Sequence, residues 1–176
     1  MSATATVSLE RAMEFLDEHT RSQPHSGRTL YDHLVGTYKL LVEWGRAETT
    51  CLAGLFHSIY GSFNYRRVTV PVEQRRLVAE VIGEDAEELA YLFSYSRRPR
   101  TLFTATRTFS LDMRNEEQPR PISEETLIRL IEIECANEVE QNTTGFIRIL
   151  STLPFVAKLD PVFCQRIRSH VIAPAH

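Results

Sequence analysis

Residues 47–60, AETTCLAGLFHSIY, constrain the fold more than any other stretch. Wound as a helix, Cys51, Leu52, Leu55, Phe56 and Ile59 leave it almost no polar side. A helix that is apolar all round belongs at the centre of a core, inside a shell of other elements. The candidates for that shell share its period. Ser8 reads as the N-cap of a helix to about Glu18 with Leu9, Ala12, Met13, Phe15 and Leu16 on one side, and the HTRSQPHSGR that follows is a loop. A second helix spans Thr29 to Trp44 and is closed by Gly45. Gly61 to Val70 reads as a loop or short extended piece, Pro71 opens a helix that Gly83 interrupts, and GEDAEELAYLF starts another. Ser123 caps a strong helix to about Gln141, and a last one runs from Gly145 to Leu153. Residues 95–121 break the period with three prolines, five arginines before Arg120, and the β-formers of TLFTATRTF, and are expected to make a long connection or a small hairpin. The fold class is all-α: a helical bundle with one irregular excursion at about 95–121.

At 176 residues the chain has the length of one ordinary domain, and its -3 charge gives no electrostatic footprint for nucleic acid or an anionic membrane. No apolar run approaches the roughly 18 residues that a membrane span needs, and MSATATVSLERAMEF lacks the pattern of a secretory leader, so a cytoplasmic protein is expected. Cys51, Cys135 and Cys164 are odd in number, far apart and set among apolar neighbours, as reduced core thiols are.

Histidine therefore carries the titratable chemistry. His19, His170 and His176 lie in polar or terminal surroundings and are expected to be solvated. On the second helix Leu30, Leu34, Leu41 and Trp44 share one arc, with Asp32, Lys39 and Glu43 opposite; His33 falls inside the apolar arc and should point inward. On the third helix His57 lies on the side of Ala53 and Gly54, small residues that allow a close approach. Such a pair is either a hydrogen-bonded core feature or the heart of a site. The helix after Ser123 favours a site, because Glu134, Asn137 and Glu138 fall within or beside the arc of Leu127, Leu130, Ile131 and Cys135, where a carboxylate needs a partner. The row Leu130, Glu134, Asn137, Gln141 is expected to face the histidines; the alternative is a shallowly buried helix with a wide polar side. Arg28, near a helix N-terminus, is placed to hold an anionic substrate group. Arg66, Arg67, Arg97, Arg98 and Arg100 are either solvated or close over the pocket, and Trp44, Tyr60, Phe63 and Tyr65 either line it or belong to the core.

TLYDHLVGTYKLLVEWG followed by CLAGLFHSIYG, with the later IECANEVEQ, resembles the HD-domain superfamily over residues 25–142. More closely, HSGRTLYDHLVGTYKLL with AGLFHSIYG and CANEVEQ looks like a small, poorly characterised HD-like branch. The resemblance implies one HD-like domain, 1–176, on whose core the N-terminal helix and the C-terminal helices pack. Superfamily members are mostly metal-dependent phosphohydrolases, with a few di-iron oxygenases. The first metal-binding histidine corresponds to His33 and the dyad histidine to His57, whereas the two aspartates fall on Ser58 and Asn137. Losing both carboxylates weakens a site for hard divalent cations.

Three readings remain open. A remodelled centre holds one divalent zinc, iron or manganese ion through His33, His57 and either His25 or Glu134. Alternatively, without metal, His33 or His57 is a general base oriented by Glu134, and Arg28, Ser58, Tyr60 and Asn137 bind substrate. Or the pocket is a relic that binds a small molecule or a partner. The expectation is a small-molecule enzyme of metabolism, of lyase, hydrolase or isomerase type, with a non-catalytic binding or regulatory protein as alternative and an ordinary metal-dependent phosphohydrolase as the second. A homodimer fits either class.

Overall fold

The computed structural model describes residues 8–25, 27–61 and 68–172. Its helices are α1 (Leu9–Thr20), α2 (Leu30–Glu43), α3 (Glu48–Phe56), α4 (Arg75–Ile82), α5 (Glu84–Tyr95), α6 (Arg100–Thr108), α7 (Glu124–Glu140), α8 (Gly145–Leu150) and α9 (Pro161–Ile172). Two antiparallel hairpins of two-residue strands complete it: β1 (Pro24–His25) with β2 (Arg28–Thr29), and β3 (Ser110–Leu111) with β4 (Arg120–Pro121). The fold is all-α, as expected, and no helix among the described residues is long and apolar enough to cross a membrane.

The central position of α3 follows from its composition. Every residue from Thr50 to Phe56 is buried, and α2, α5 and α7 pack around the helix. Gly54 allows a close approach by α2: a Cβ there would stand 2.3 Å from Leu41 Cδ1, in a leucine with no exposed surface. Gly54→Ala is expected to lower the unfolding free energy by about 1–2 kcal/mol in a denaturant titration, overpacking outweighing the roughly 1 kcal/mol gain in helix propensity.

The two faces of α2 divide as the helical period predicts. Leu30, Leu34, Leu41 and Trp44 are buried, Asp32, Lys39 and Glu43 are exposed, and His33 is inward at 1 % exposure. The α2 N-terminus is closed by a capping box, in which the Thr29 hydroxyl takes the Asp32 N–H and the Asp32 carboxylate takes the Thr29 N–H. Ser123 caps α7 through the Thr126 N–H.

The excursion at 95–121 contains both the hairpin and a helix that its composition conceals. In α6, β-formers alternate with polar residues, yet Leu102 and Ala105 at helical spacing are buried and Phe103 stacks on Phe146 of α8 at 4.9 Å. Packing against α7 overrides the weak local preference. The third helix ends at Phe56 rather than Tyr60, because residues 57–60 form turns. Beyond the last helix expected from the pattern, α9 packs Phe163 edge-on against Trp44 at 5.7 Å. Trp44 is therefore core, not pocket lining. Phe63, Tyr65, Arg66, Arg67 and His176 lie outside the described residues.

Candidate functional site

Where α2, the end of α3 and the end of α7 meet, the structure joins His33 and His57. Their Nε2 atoms are 3.1 Å apart and the rings meet edge to face at 80°, with centroids 5.0 Å apart. The other nitrogen of each ring is anchored. His57 Nδ1–H donates to Gly54 O at 2.6 Å, and His33 Nδ1 is bonded to a Glu140 carboxyl oxygen. Both rings are sealed from solvent, at 1 % and 0 % exposure. Burial, reinforced by the neighbouring His33, holds His57 well below the ordinary histidine range. Ser94 on α5 donates its hydroxyl to His57 O at 2.8 Å, and the Phe93 ring lies edge-on to His57 at 5.2 Å.

Glu140 is the residue that the sequence reading missed. Its side chain is 4 % exposed and bridges His33 to Arg28, whose guanidinium also donates to Glu140 O at 3.0 Å. Gly36 makes room for it, since a Cβ at that position would come within 2.6 Å of Glu140 Oε1. A signal was present: Glu140 continues the face of Ile133 and Ala136 by one helical turn, where an apolar residue would be ordinary.

The remaining expected residues are placed otherwise. Glu134 is buried, but it pairs with Arg98 and makes no bond to either histidine; burial raises its pKa and Arg98 partly offsets that. Arg98 in turn donates through Nε to Phe93 O at 2.8 Å and lies over the Phe93 ring at 3.5 Å. Asn137 is bonded at the helix surface to Gln141, whose amide donates to Asn137 Oδ1 at 2.8 Å, so the row Glu134, Asn137, Gln141 does not face the histidines. Tyr60 is fully buried and donates to Glu87 at 2.7 Å, where Arg75 also binds; this ties it to α4 and α5 instead of a substrate. Ser58 is buried in the turn after α3, with its carbonyl accepting from Gly61 N at 3.0 Å. Arg28 meets the protein's own carboxylate, and the capping box fills the α2 N-terminus where an anion was expected. His19 is half-buried and stacked on Phe15 at 4.2 Å, not solvated.

His25, on the hairpin β1–β2, stacks on His33 with centroids 4.4 Å apart and planes 23° apart. Burial, then His33, lowers its pKa. The hairpin thus lies over His33. The described clefts of about 290 Å³ beside Leu89 and Thr126 and about 270 Å³ beside Arg46 and Glu132 contain neither histidine.

The histidine pair has one trait of metal ligands: the second nitrogen of each ring is bonded to a carboxylate or carbonyl oxygen. A catalytic metal, however, needs about three protein ligands. His25 stacks face-on rather than converging, and Glu134 is held by Arg98. Among the described residues no group of three or more His, Cys, Asp or Glu side chains is arranged to hold a metal ion. The described residues do not fit the remodelled three-ligand centre.

The thiols stand apart from this chemistry. All three are buried and free; burial pushes Cys51 up to about 11 and raises Cys135 and Cys164. Native protein at pH 8 is expected to resist iodoacetamide and to take three labels only after unfolding, read by mass spectrometry.

Residues 15–98 match a family described as a domain of unknown function (DUF6817). That stretch contains His25, His33, His57 and Arg98 and ends before Glu134 and Glu140. No curated protein and no solved structure matches the chain.

Proposed function

We propose that the chain is a small-molecule enzyme on an HD-like fold, working by general acid–base chemistry through His33 and His57, with Glu140 in the orienting role expected of Glu134. The observation that carries this reading is the buried row Glu140–His33–His57, in which each imidazole is fixed by its Nδ1 and both Nε2 atoms converge. A carboxylate that fixes the tautomer and orientation of a histidine is what proton transfer at the opposite nitrogen requires. Arg28 holds the carboxylate in turn. Substrate enters where the β1–β2 hairpin covers His33, so binding displaces His25 from its stack. Reaction type follows the expectation of a lyase, hydrolase or isomerase, and the resemblance to HD domains supports the placing of the pair.

The complete closure of both rings favours a second reading, in which the chain binds a small molecule or a partner without turning it over. Incubation of the protein with a small-molecule cell extract, followed by mass spectrometry, separates the two. The enzyme reading expects compounds consumed by the wild type and spared, at least 100-fold, by folded His57→Gln. Compounds retained by the protein but unchanged by either form sink it and leave the binding reading.

A further inference from the structure

The cleft of about 270 Å³ beside Arg46 and Glu132 lies where the start of α3 meets α7 and the segment before α9. α3 begins at Ala47, which has no side chain to cap it, and the N–H groups of Glu48, Thr49 and Thr50 find no acceptor among the described residues. The first N–H groups of a helix, with its dipole, favour an anionic group. Water alone can satisfy such a turn, but Thr50 adds a group that water does not reach. Thr50 lines the cleft yet has no exposed surface, and its Oγ1 has no hydrogen-bond partner. Thr20 and Thr37, equally buried in helices, each donate to the carbonyl four residues back. For Thr50 that carbonyl is Arg46 O, which takes the Cys51 thiol instead. A ligand group bonded to this hydroxyl would recover the free energy lost by burying it unpaired.

The facing side of the cleft offers acceptors. Glu132 is 6 % exposed; one of its oxygens takes Arg46 Nη1 at 2.8 Å, and the other has no partner among the described residues. Burial raises its pKa in spite of Arg46 and Arg129, so the carboxylate is short of positive charge. Asp160 takes the Phe163 N–H on Oδ1 at 2.9 Å, while its Oδ2 stands 3.5 Å from Arg46, longer than a normal hydrogen bond. Glu125 and Arg129 pair with one another. Two guanidinium groups and three carboxylates therefore line one small space. A purely anionic ligand meets the carboxylates, and a purely cationic one meets the arginines and the helix dipole; a zwitterion matches both signs.

We propose that this cleft binds a free α-amino acid, with its carboxylate toward the α3 N–H groups and the Thr50 hydroxyl and its ammonium toward Glu132 and Asp160. The volume stands at the small end of ligand sites, as a molecule of this size requires. The site lies apart from the histidine pair, goes beyond the acid–base reading and does not rest on it.

Amide proton–nitrogen spectra of the ¹⁵N-labelled full chain, titrated with each standard α-amino acid in turn, test the site. At least one is expected to shift the Glu48, Thr49 and Thr50 amides saturably, with a Kd of about 1 mM or tighter. Its N-acetyl derivative, which lacks the ammonium, and its decarboxylated amine should each bind at least about 10-fold more weakly. Thr50→Val and Glu132→Gln should each weaken binding of the amino acid about 10-fold. Thr50→Val removes only the unpaired hydroxyl, so its denaturation midpoint should be no lower than that of the wild type, and Glu132→Gln can still accept from Arg46. If no amino acid shifts these amides, or if the amine, the N-acetyl derivative or inorganic phosphate binds as well as the amino acid, the proposal is overturned. Folded Thr50→Val that binds like the wild type overturns it too, and this arm stands even if Glu132→Gln does not fold.

Discussion

Arg98→Met is expected to cost about 3–5 kcal/mol of unfolding free energy, because it strands the Glu134 carboxylate inside the bundle. The side chains of Arg98 and Glu134 are only 12 % and 7 % exposed. The substitution also removes the bond to Phe93 O and the guanidinium over the Phe93 ring. Desolvation already raises Glu134, and the variant loses the charge that offsets it. A carboxyl raised in the folded state weakens the fold as pH rises from its unfolded value, so the loss is largest at neutral pH and shrinks as pH falls toward about 4.5. Denaturant titrations at pH 5 and pH 7.5 read both features. Adding Glu134→Leu should recover most of the loss, since an apolar pair of similar volume often matches a buried ion pair. If the double variant is no more stable than the single, Glu134 is not the stranded group.

Glu140→Ala is expected to cost about 2–3 kcal/mol, less than the Arg98 change, because one of the two partners left behind reaches water. Arg28 is 38 % exposed and can rehydrate, whereas His33, 1 % exposed, loses the partner of its Nδ1. Glu140→Gln should cost less than half as much, as an amide oxygen can still accept from His33. Equal losses in the two variants would mean that cavity formation, not the hydrogen bond, sets the effect.

How far the site was legible depended on whether a residue's role is set within its own helix. His33 and His57 were, because a histidine on an apolar arc has to point inward whatever lies opposite. The need of Glu134 for a partner was legible for the same reason, but the partner was not: Arg98 sits 36 residues away in a stretch with no helical period. Glu140 continues the buried face of Ile133 and Ala136, but it stands at the last turn of α7, where such a face commonly opens to solvent, and Gly36 and Arg28 arrive from elsewhere to enclose it. Tyr60 and Asn137 failed the other way, since their polar atoms are claimed by Glu87 and Gln141.

The all-α class, the central place of α3, the inward face of α2, the apolar arc of α7 and the burial of both histidines were all readable from the chain's own pattern. All of these follow from apolar period and from the cost of leaving such faces in water. Which carboxylate meets which base, the pairing of Arg28 with Glu140 and the stacking of His25 from the β1–β2 hairpin on His33 are set by how the helices come together. Burial is a property of one helix face. A hydrogen bond between helices depends on their relative rotation and approach to a fraction of an ångström, which no single segment encodes.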